Sequence, residues 1–362
     1  MDFTRTTDDI DATLDAARRV GDVVADEAVA ELINSGALRP AGGDLVGALE
    51  GHAKAGGRGC QALLEHTFTV PSWVRFPDMK VGAQLGLRTP MQSSVSLILG
   101  SLMESYGSAR GAKVLIRGGM LTKHVLQRLR DTTTFVLEIA ASRAPMPGTT
   151  AHRHVIRTRL VHAFVRNGML KRGDWNLDWG HPVNQEDTAS TLLVFCHVYL
   201  RSMARLGATP TAEEEASVHH LYRWVGHLMG VTPELLTVDR AEELQLYAHI
   251  TRRQLHPDHD SRVLAHSLIS ALASRRPLFL PANALAAISR HLLGDPLADG
   301  LGLTPSRSWT TVAHAMPLLS RAQLTVETRA PFTRFPLEHL GERVARLVYE
   351  HGFVLPKETE CA

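Results

Sequence analysis

The chain is poor in cysteine and in net charge, and each shortage excludes a class of protein. Its 362 residues include three cysteines, Cys60, Cys196 and Cys361. Three widely spaced cysteines without a CxxC pair form neither a disulfide framework nor a redox motif, which fits a reducing compartment. The formal net charge is +2 and the sequence has no basic stripe. This argues against binding to nucleic acid or to an anionic membrane surface.

Long apolar segments are missing too. The longest, residues 95–103 and 192–200, fall short of the roughly 20 residues that a membrane-spanning helix needs. Residues 1–9 are polar and acidic, without the basic start and apolar run of a secretory signal. We therefore expect a cytoplasmic protein with no stable membrane anchor. Its 44% apolar and 21% charged residues are the balance of a globular chain.

Period-two alternation, the mark of half-buried strands, is nearly absent. Apolar residues instead recur at three- and four-residue spacing, which predicts an all-α fold with one large helical domain. We expect a helical extension with a flexible, Gly-rich loop over residues 1–60 and the main helical domain over residues 61–362. Helix starts are marked by Asn184, a favourable N-cap, and by the capping box from Thr211 to Glu214.

Residues 157–166 form the most informative segment. No Gly or Pro interrupts it, and its apolar residues have helical spacing; they are Leu160, Val161, Phe164 and Val165. Its single imidazole is His162. An imidazole on a rigid helix can bind a metal, and one axial histidine commonly holds haem iron. Taken alone, the segment fits at least as well a histidine that makes an ordinary hydrogen bond.

A second candidate group lies on the preceding predicted helix, residues 121–141. Arg128 and Thr132 are four residues apart and therefore share one face of that helix. The Pro-Gly break at residues 144–148 is short enough to bring this helix beside the one that carries His162. A haem could then lie between them, with His162 on one side of the iron and a guanidinium and a hydroxyl on the other. The 19 histidines form no HExxH pair on a helix, which argues against a zinc hydrolase.

Several segments, in this order, resemble the haem-containing latex clearing proteins, or rubber oxygenases, and the wider MpaB-type oxygenase domain. The matching segments are residues 71–74 (PSWV), Arg128 with Thr132, residues 159–163 (RLVHA) with Arg166, residues 182–195, and residues 206–231. Because several motifs match in register, the resemblance is far more specific than any one of them.

The resemblance implies a helical, globin-like core that binds one haem b. It implies that His162 is the iron ligand, that Arg128 and Thr132 are catalytic residues of the haem pocket, and that Arg128 and Arg166 help to bind the cofactor. Members of this family use molecular oxygen to cleave carbon–carbon double bonds of isoprenoid chains. The resemblance thus implies a dioxygenase-like oxidoreductase whose partners are oxygen and an apolar small molecule.

The sequence departs from the family at three points. It has no export signal, so an isoprenoid or lipid-like molecule inside the cell is a better candidate than an extracellular polymer. Asp131 precedes Thr132 where some members carry a lysine. Residues 111–114 contain no carboxylate for a distal acid, and Glu104 and Glu138 are the nearest alternatives. Two other hypotheses therefore stay open: a haem peroxygenase or hydroxylase of a biosynthetic pathway, and a non-catalytic haem- or ligand-binding protein.

Overall fold

A computed structural model describes residues 7–37, 43–118, 125–142, 144–275 and 279–329 of the chain. Within these residues the fold is all-α, as the spacing of apolar residues predicts. They contain no strand, and one isolated antiparallel bridge joins Ser108 and Leu255. No helix among them has both the length and the apolar character needed to cross a membrane.

The α-helices of the described residues follow one another through short connections. In chain order they are α1 (Thr7–Ala17), α2 (Val23–Asn34), α3 (Leu45–Lys54), α4 (Arg58–Phe68), α5 (Phe76–Arg88), α6 (Pro90–Val95), α7 (Met103–Ser105), α8 (Ala109–Arg117), α9 (Val125–Ser142), α10 (Thr150–Lys171), α11 (Gln185–Leu193), α12 (Tyr199–Arg205), α13 (Ala212–Leu228), α14 (Arg240–Gln254), α15 (His259–Leu272), α16 (Ala282–Leu293), α17 (Asp295–Gly300) and α18 (Arg307–Arg329). Two π-helical segments, Ser96–Leu102 and Val194–Val198, continue α6 into α7 and α11 into α12.

The predicted helix starts are confirmed by their hydrogen bonds. The Thr211 hydroxyl accepts from the Glu214 backbone N–H at 3.2 Å, and the Glu214 carboxylate accepts from the Thr211 N–H at 2.8 Å. This reciprocal pair is a capping box. The Asn184 side-chain oxygen accepts from the Asp187 N–H at 2.9 Å. The helix predicted over residues 121–141 is α9, and residues 121–124 lie outside the described part of the chain.

Contacts between residues divide the chain into two compact units that alternate along the sequence. The first comprises residues 1–80, 144–193 and 216–253, and the second residues 81–143, 194–215 and 254–362. The domain boundary predicted between residues 60 and 61 falls inside the first unit and stays a prediction.

Two apolar clusters lie among the described residues of the first unit. One is formed by α2, α3, α4 and α10, and its fully buried side chains include Leu32, Leu49, Leu63 and Leu160. The other joins α1, α11, α14 and residues 231–236. Helix α10 therefore packs its apolar side into the first cluster, which fixes the helix that carries His162.

The core of the second unit joins the first π-helical segment to α9, α15 and α16. The Ser101 hydroxyl donates to the backbone carbonyl of Val194 at 2.8 Å, which links the two π-helical segments. A π turn changes the hydrogen-bonding register, and such turns are frequent at functional sites. Gly207 ends α12 with φ +86°, and a Cβ there would lie 2.7 Å from the Pro317 Cα. Only glycine fits this position, where the chain needs a left-handed turn and a close approach.

Candidate functional site

His162 lies at the edge of the buried side of α10. It follows Arg159 by three residues and precedes Arg166 by four, so the three residues lie on one side of the helix. Both arginines are almost fully buried, with 1% and 2% of their surface exposed, whereas His162 is half-buried. The imidazole therefore lies where the buried side of the helix meets its more accessible side.

Arg159 anchors α10 one turn before His162. Its Nε and Nη2 donate to the two carboxylate oxygens of Asp22 at 2.6 and 2.9 Å, a bidentate ion pair. Its Nη1 also donates to the carbonyl of Leu228 at 3.2 Å. Gly230 has φ +77°, and a Cβ there would lie 2.6 Å from Arg159 Nη2. The absence of a side chain at residue 230 thus makes room for the guanidinium.

Arg166 anchors α10 one turn after His162. Its Nε donates to both carboxylate oxygens of Asp26 at 2.8 and 2.9 Å, and its Nη1 donates to the Val183 carbonyl at 2.6 Å. Its buried Nη2 has no hydrogen-bond partner in the described part of the chain. Burial raises the pKa of Asp26, and the positive charge of Arg166 opposes that rise. Arg166, which the sequence predicts to bind the cofactor, thus has partners at Nε and Nη1, and its Nη2 is left as a donor.

Residues 182–187 hold α11 against the start of α2. Val183 has φ +51°, a strained conformation for a β-branched residue. Gln185 donates through Nε2 to the carbonyls of Gly21 and Gly230 at 3.0 and 2.9 Å. The carboxylate of Glu186, which is fully buried, pairs with Arg18 at 2.6 Å. Residues 182–187, which belong to a segment that resembles the family, therefore have a structural role in the first unit.

A stack of aromatic rings adjoins the Arg159 guanidinium. Arg159 Nη1 lies 3.0 Å from Nδ1 of His66. The His66 ring stacks on His227 at 4.5 Å between centroids, and His227 stacks on Trp224 at 5.4 Å. Burial, followed by the charge of Arg159, lowers the pKa of His66 to about 4. Sequence reasoning missed His66 because this single histidine near the end of α4 belongs to no recognisable motif.

Arg128 and Thr132 lie on α9 in the second unit, and both are half-buried. Burial lowers the pKa of Arg128, and the opposing influences of Tyr106 and Asp131 do not offset it. Tyr106 is fully buried, burial raises its pKa to about 12, and its hydroxyl has no hydrogen-bond partner among the residues described. Arg128 is thus a partly desolvated cation that an anionic group would stabilise. Asp131 is exposed and accepts a hydrogen bond from Gln127 at 2.9 Å.

The alternatives for a distal acid have other contacts. Glu104 is buried and forms an ion pair with Arg201. Lys113, in the segment without a carboxylate, pairs with Asp258 and Asp260 at 2.6 Å each. Glu104 and Lys113 therefore balance charge within the second unit.

The predicted site residues divide between the two units, with His162 and Arg166 in the first and Arg128 and Thr132 in the second. Their pairing around one haem stays a prediction. Their chemistry fits the group. His162 offers an imidazole on a helix fixed by two ion pairs, and Arg128 offers a partly desolvated cation for a carboxylate. Arg166 has one buried nitrogen, Nη2, without a hydrogen-bond partner among the described residues.

Comparisons with known proteins give matches of two kinds. The family model described as "ER-bound oxygenase mpaB/B'/Rubber oxygenase, catalytic domain" matches residues 88–322, well over half of the chain. A solved structure of latex clearing protein in the closed state superposes with a TM-score of 0.69 and 20% sequence identity, covering 91% of each chain. At that identity the superposition shows a shared fold. No curated protein matches the sequence significantly.

Proposed function

Because the chain belongs to the family of ER-bound oxygenase mpaB/B' and rubber oxygenase catalytic domains, we propose that it is a haem b-dependent oxygenase acting on an apolar small molecule. Membership makes the chain an oxygenase. Haem dependence, a dioxygenase-like reaction and an isoprenoid or lipid-like substrate are the proposal. It rests on one observation above all: a half-buried imidazole on a helix that buried ion pairs anchor one turn before it and one turn after it.

In this proposal His162 would bind the haem iron. Haem, when bound, supplies oxygen activation at its iron. The contribution of the chain is to orient the ring. Arg159 is tied to Asp22 and Arg166 to Asp26, so α10 is held on both sides of His162. Because α10 is already anchored, the His162 side chain is oriented before the cofactor binds, and binding costs little further conformational freedom. The Nη2 group of Arg166, which has no hydrogen-bond partner among the described residues, is proposed to donate to a haem carboxylate.

Arg128 and Thr132 are proposed as the catalytic residues. A guanidinium that is partly desolvated in the folded protein interacts more strongly with negative charge than one in water, since less water screens it. Arg128 would bind a haem carboxylate or stabilise negative charge that develops during oxygen activation. Thr132, one turn further on the same face, would donate a hydrogen bond at the same place. The family reaction, oxidative cleavage of a carbon–carbon double bond, is the proposed chemistry.

One observation favours a second candidate. The segment at residues 111–114 has no acid, and its charged member Lys113 is tied to Asp258 and Asp260. A non-catalytic haem- or ligand-binding protein does not require an acid there, and a haem peroxygenase or hydroxylase on the same scaffold is the other alternative. Dependence on peroxide in place of oxygen would favour the peroxygenase or hydroxylase, and stoichiometric oxygen binding without product would favour the non-catalytic protein.

The test is an absorption spectrum of the purified protein, taken oxidised, reduced and with carbon monoxide. The wild type should show a Soret band that shifts with carbon monoxide, and His162→Ala should lose it. His154→Ala is the matched control, because His154 is a half-buried histidine on the same helix; it should keep the band. A colourless wild type that takes up no added haem, or equal haem content in both variants, would refute the proposal. Turnover is followed with a short polyisoprene oligomer, by the appearance of carbonyl products.

A further inference from the structure

Three side chains that bind metals meet where α2, α3 and α4 come together in the first unit. They are Glu31 on α2, His52 on α3 and Cys60 on α4. A carboxylate oxygen, an imidazole nitrogen and a thiol sulfur, one from each, all lie within 4.8 Å of one another. In the part of the chain that the structure describes, no other group of three His, Cys, Asp or Glu side chains is so close together. None of the three residues belongs to the proposed haem site.

Glu31 is held in place by the start of α4. Its Oε1 accepts a hydrogen bond from the Gly59 N–H at 2.8 Å and its Oε2 from the Cys60 N–H at 3.1 Å. Each carboxylate oxygen has two lone-pair directions, so each retains one for a further partner. Carboxylates that bind metals are commonly fixed by such hydrogen bonds from a second layer of residues. The backbone contacts thus orient Glu31 and leave it able to bind an ion.

His52 faces Glu31 at a distance that fits two ligands of one ion. Its Nε2 lies 4.0 Å from Glu31 Oε2, too far for a hydrogen bond. Two ligands of a tetrahedral zinc ion, each about 2.0–2.2 Å from the metal, are about 3.5 Å apart. A small movement of the half-buried His52 side chain would bring these two atoms to that separation.

Residue 57 leaves this space open because it is a glycine. A Cβ at Gly57 would lie 2.8 Å from His52 Nε2 and 2.9 Å from Glu31 Oε2. No side chain fits over these two ligand atoms. The turn between α3 and α4 therefore forms a small cradle above them.

Cys60 sets the chemical class of the ion. It is fully buried within the apolar cluster of α2, α3, α4 and α10, and its Sγ makes a weak hydrogen bond to the Ala28 carbonyl at 3.7 Å. A thiolate with an imidazole and a carboxylate suits zinc and similar borderline ions, and it disfavours calcium and magnesium. We propose that Glu31, His52 and Cys60 bind one zinc-type ion, with water as the fourth ligand. The ion would join three helices and stabilise the first unit.

The test uses the full-length protein, freed of metal with a chelator, desalted and titrated with zinc chloride by calorimetry. The wild type should bind one equivalent, and Cys60→Ser and His52→Gln should bind at least about 100-fold more weakly, beyond the usual effect of losing an outer-layer partner. Cys196→Ser is the matched control, because Cys196 is also a buried free cysteine but lies in the second unit. It should bind zinc as the wild type does. X-ray absorption at the zinc edge should show one sulfur at about 2.3 Å and lighter ligands at about 2.0–2.2 Å.

Three results would overturn the proposal: no zinc uptake by the wild type, equal uptake by all four proteins, or no sulfur among the ligands. In the first case Glu31 is only a helix cap for α4. Because Cys60 is buried, Cys60→Ser could fail to fold, and His52→Gln at a half-buried position then decides. The proposal is independent of the haem site, so His162→Ala should bind zinc with unchanged affinity.

Discussion

The ion pair between Asp22 and Arg159 offers the sharpest test of how α10 is anchored. The exposed fractions of the two side chains are 11% and 2%. At an effective dielectric constant near 20, two charges in contact attract by about 4 kcal/mol, but much of this is offset by the cost of desolvating both. The net contribution of the pair is therefore small. Removing one partner is different, since the other charge is left buried without compensation.

Asp22→Asn removes the charge of the pair and keeps the helix cap. Asp22 accepts from the Ala25 N–H at 3.2 Å as the N-cap of α2, and asparagine caps helices equally well. The variant should lose about 3–5 kcal/mol in the free energy of unfolding, the usual effect of leaving a buried charge unpaired. Arg159→Met should lose less, because the Asp22 carboxylate still lies at the positive end of the α2 dipole. The double variant should lose clearly less than the sum of the two.

The assay is urea unfolding followed by far-UV circular dichroism, with Arg153→Met as the matched control. Arg153 lies on the same helix, and its side chain, 40% exposed, pairs with Glu50 and Asp44. Exposed pairs contribute about 1 kcal/mol or less. An Asp22→Asn protein within 1 kcal/mol of the wild type, or strict additivity in the double variant, would refute the reasoning.

Three further predictions concern other parts of the chain. Burial lowers the pKa of His219 from 6.5 to about 4. As the pH falls from 6.5 to about 4, the unfolded chain binds this proton before the folded protein does. The contribution of His219 to the free energy of unfolding is therefore fully present above pH 6.5 and falls below it by up to roughly 1.4 kcal/mol per pH unit. His219→Gln should flatten that slope in urea unfolding. Gly226→Ala should lower the free energy of unfolding by about 1–3 kcal/mol, because its Cβ would lie 2.6 and 2.8 Å from two leucine side chains. Gly168→Ala, whose Cβ would have nothing within 4 Å, should raise it by about 0.5–1 kcal/mol in the same assay. Arg128→Met should lower the turnover per haem roughly 10²–10³-fold, and an unchanged rate would remove Arg128 from the site.

Features set by local sequence could be predicted. The spacing of apolar residues predicts α10, and the Pro-Gly break predicts its separation from α9. Capping residues predict where α11 and α13 begin. These signals work because a helix end needs side chains to satisfy its free N–H groups, and those side chains are close in sequence. Cys196, which lies in an apolar segment of the sequence, is buried, at 3% exposure.

Features set by distant contacts could not be predicted. Nothing near Arg159 in sequence identifies Asp22 as its partner, since 137 residues separate them. The π-helical segment Val194–Val198 keeps an apolar pattern that reads as ordinary α-helix. The meeting of Glu31, His52 and Cys60 likewise depends on how three helices pack. His162 and Arg128 belong to different compact units, and their pairing around one haem stays a prediction.

The charges on α10 support the proposal that His162 binds the cofactor. A buried guanidinium is stable only when an anion or several acceptors compensate its charge. Arg159 forms an ion pair with Asp22, and Arg166 forms one with Asp26. Both carboxylates lie in or beside the first turn of α2, so the first unit balances both positive charges with its own acidic residues. A cofactor is therefore not needed to hold either arginine in place. What the two ion pairs fix is the direction of the helix between them, and the only imidazole on that stretch is His162. The two arginines thus set the geometry of α10 before any cofactor binds, which supports the proposal that His162 is the residue that binds one.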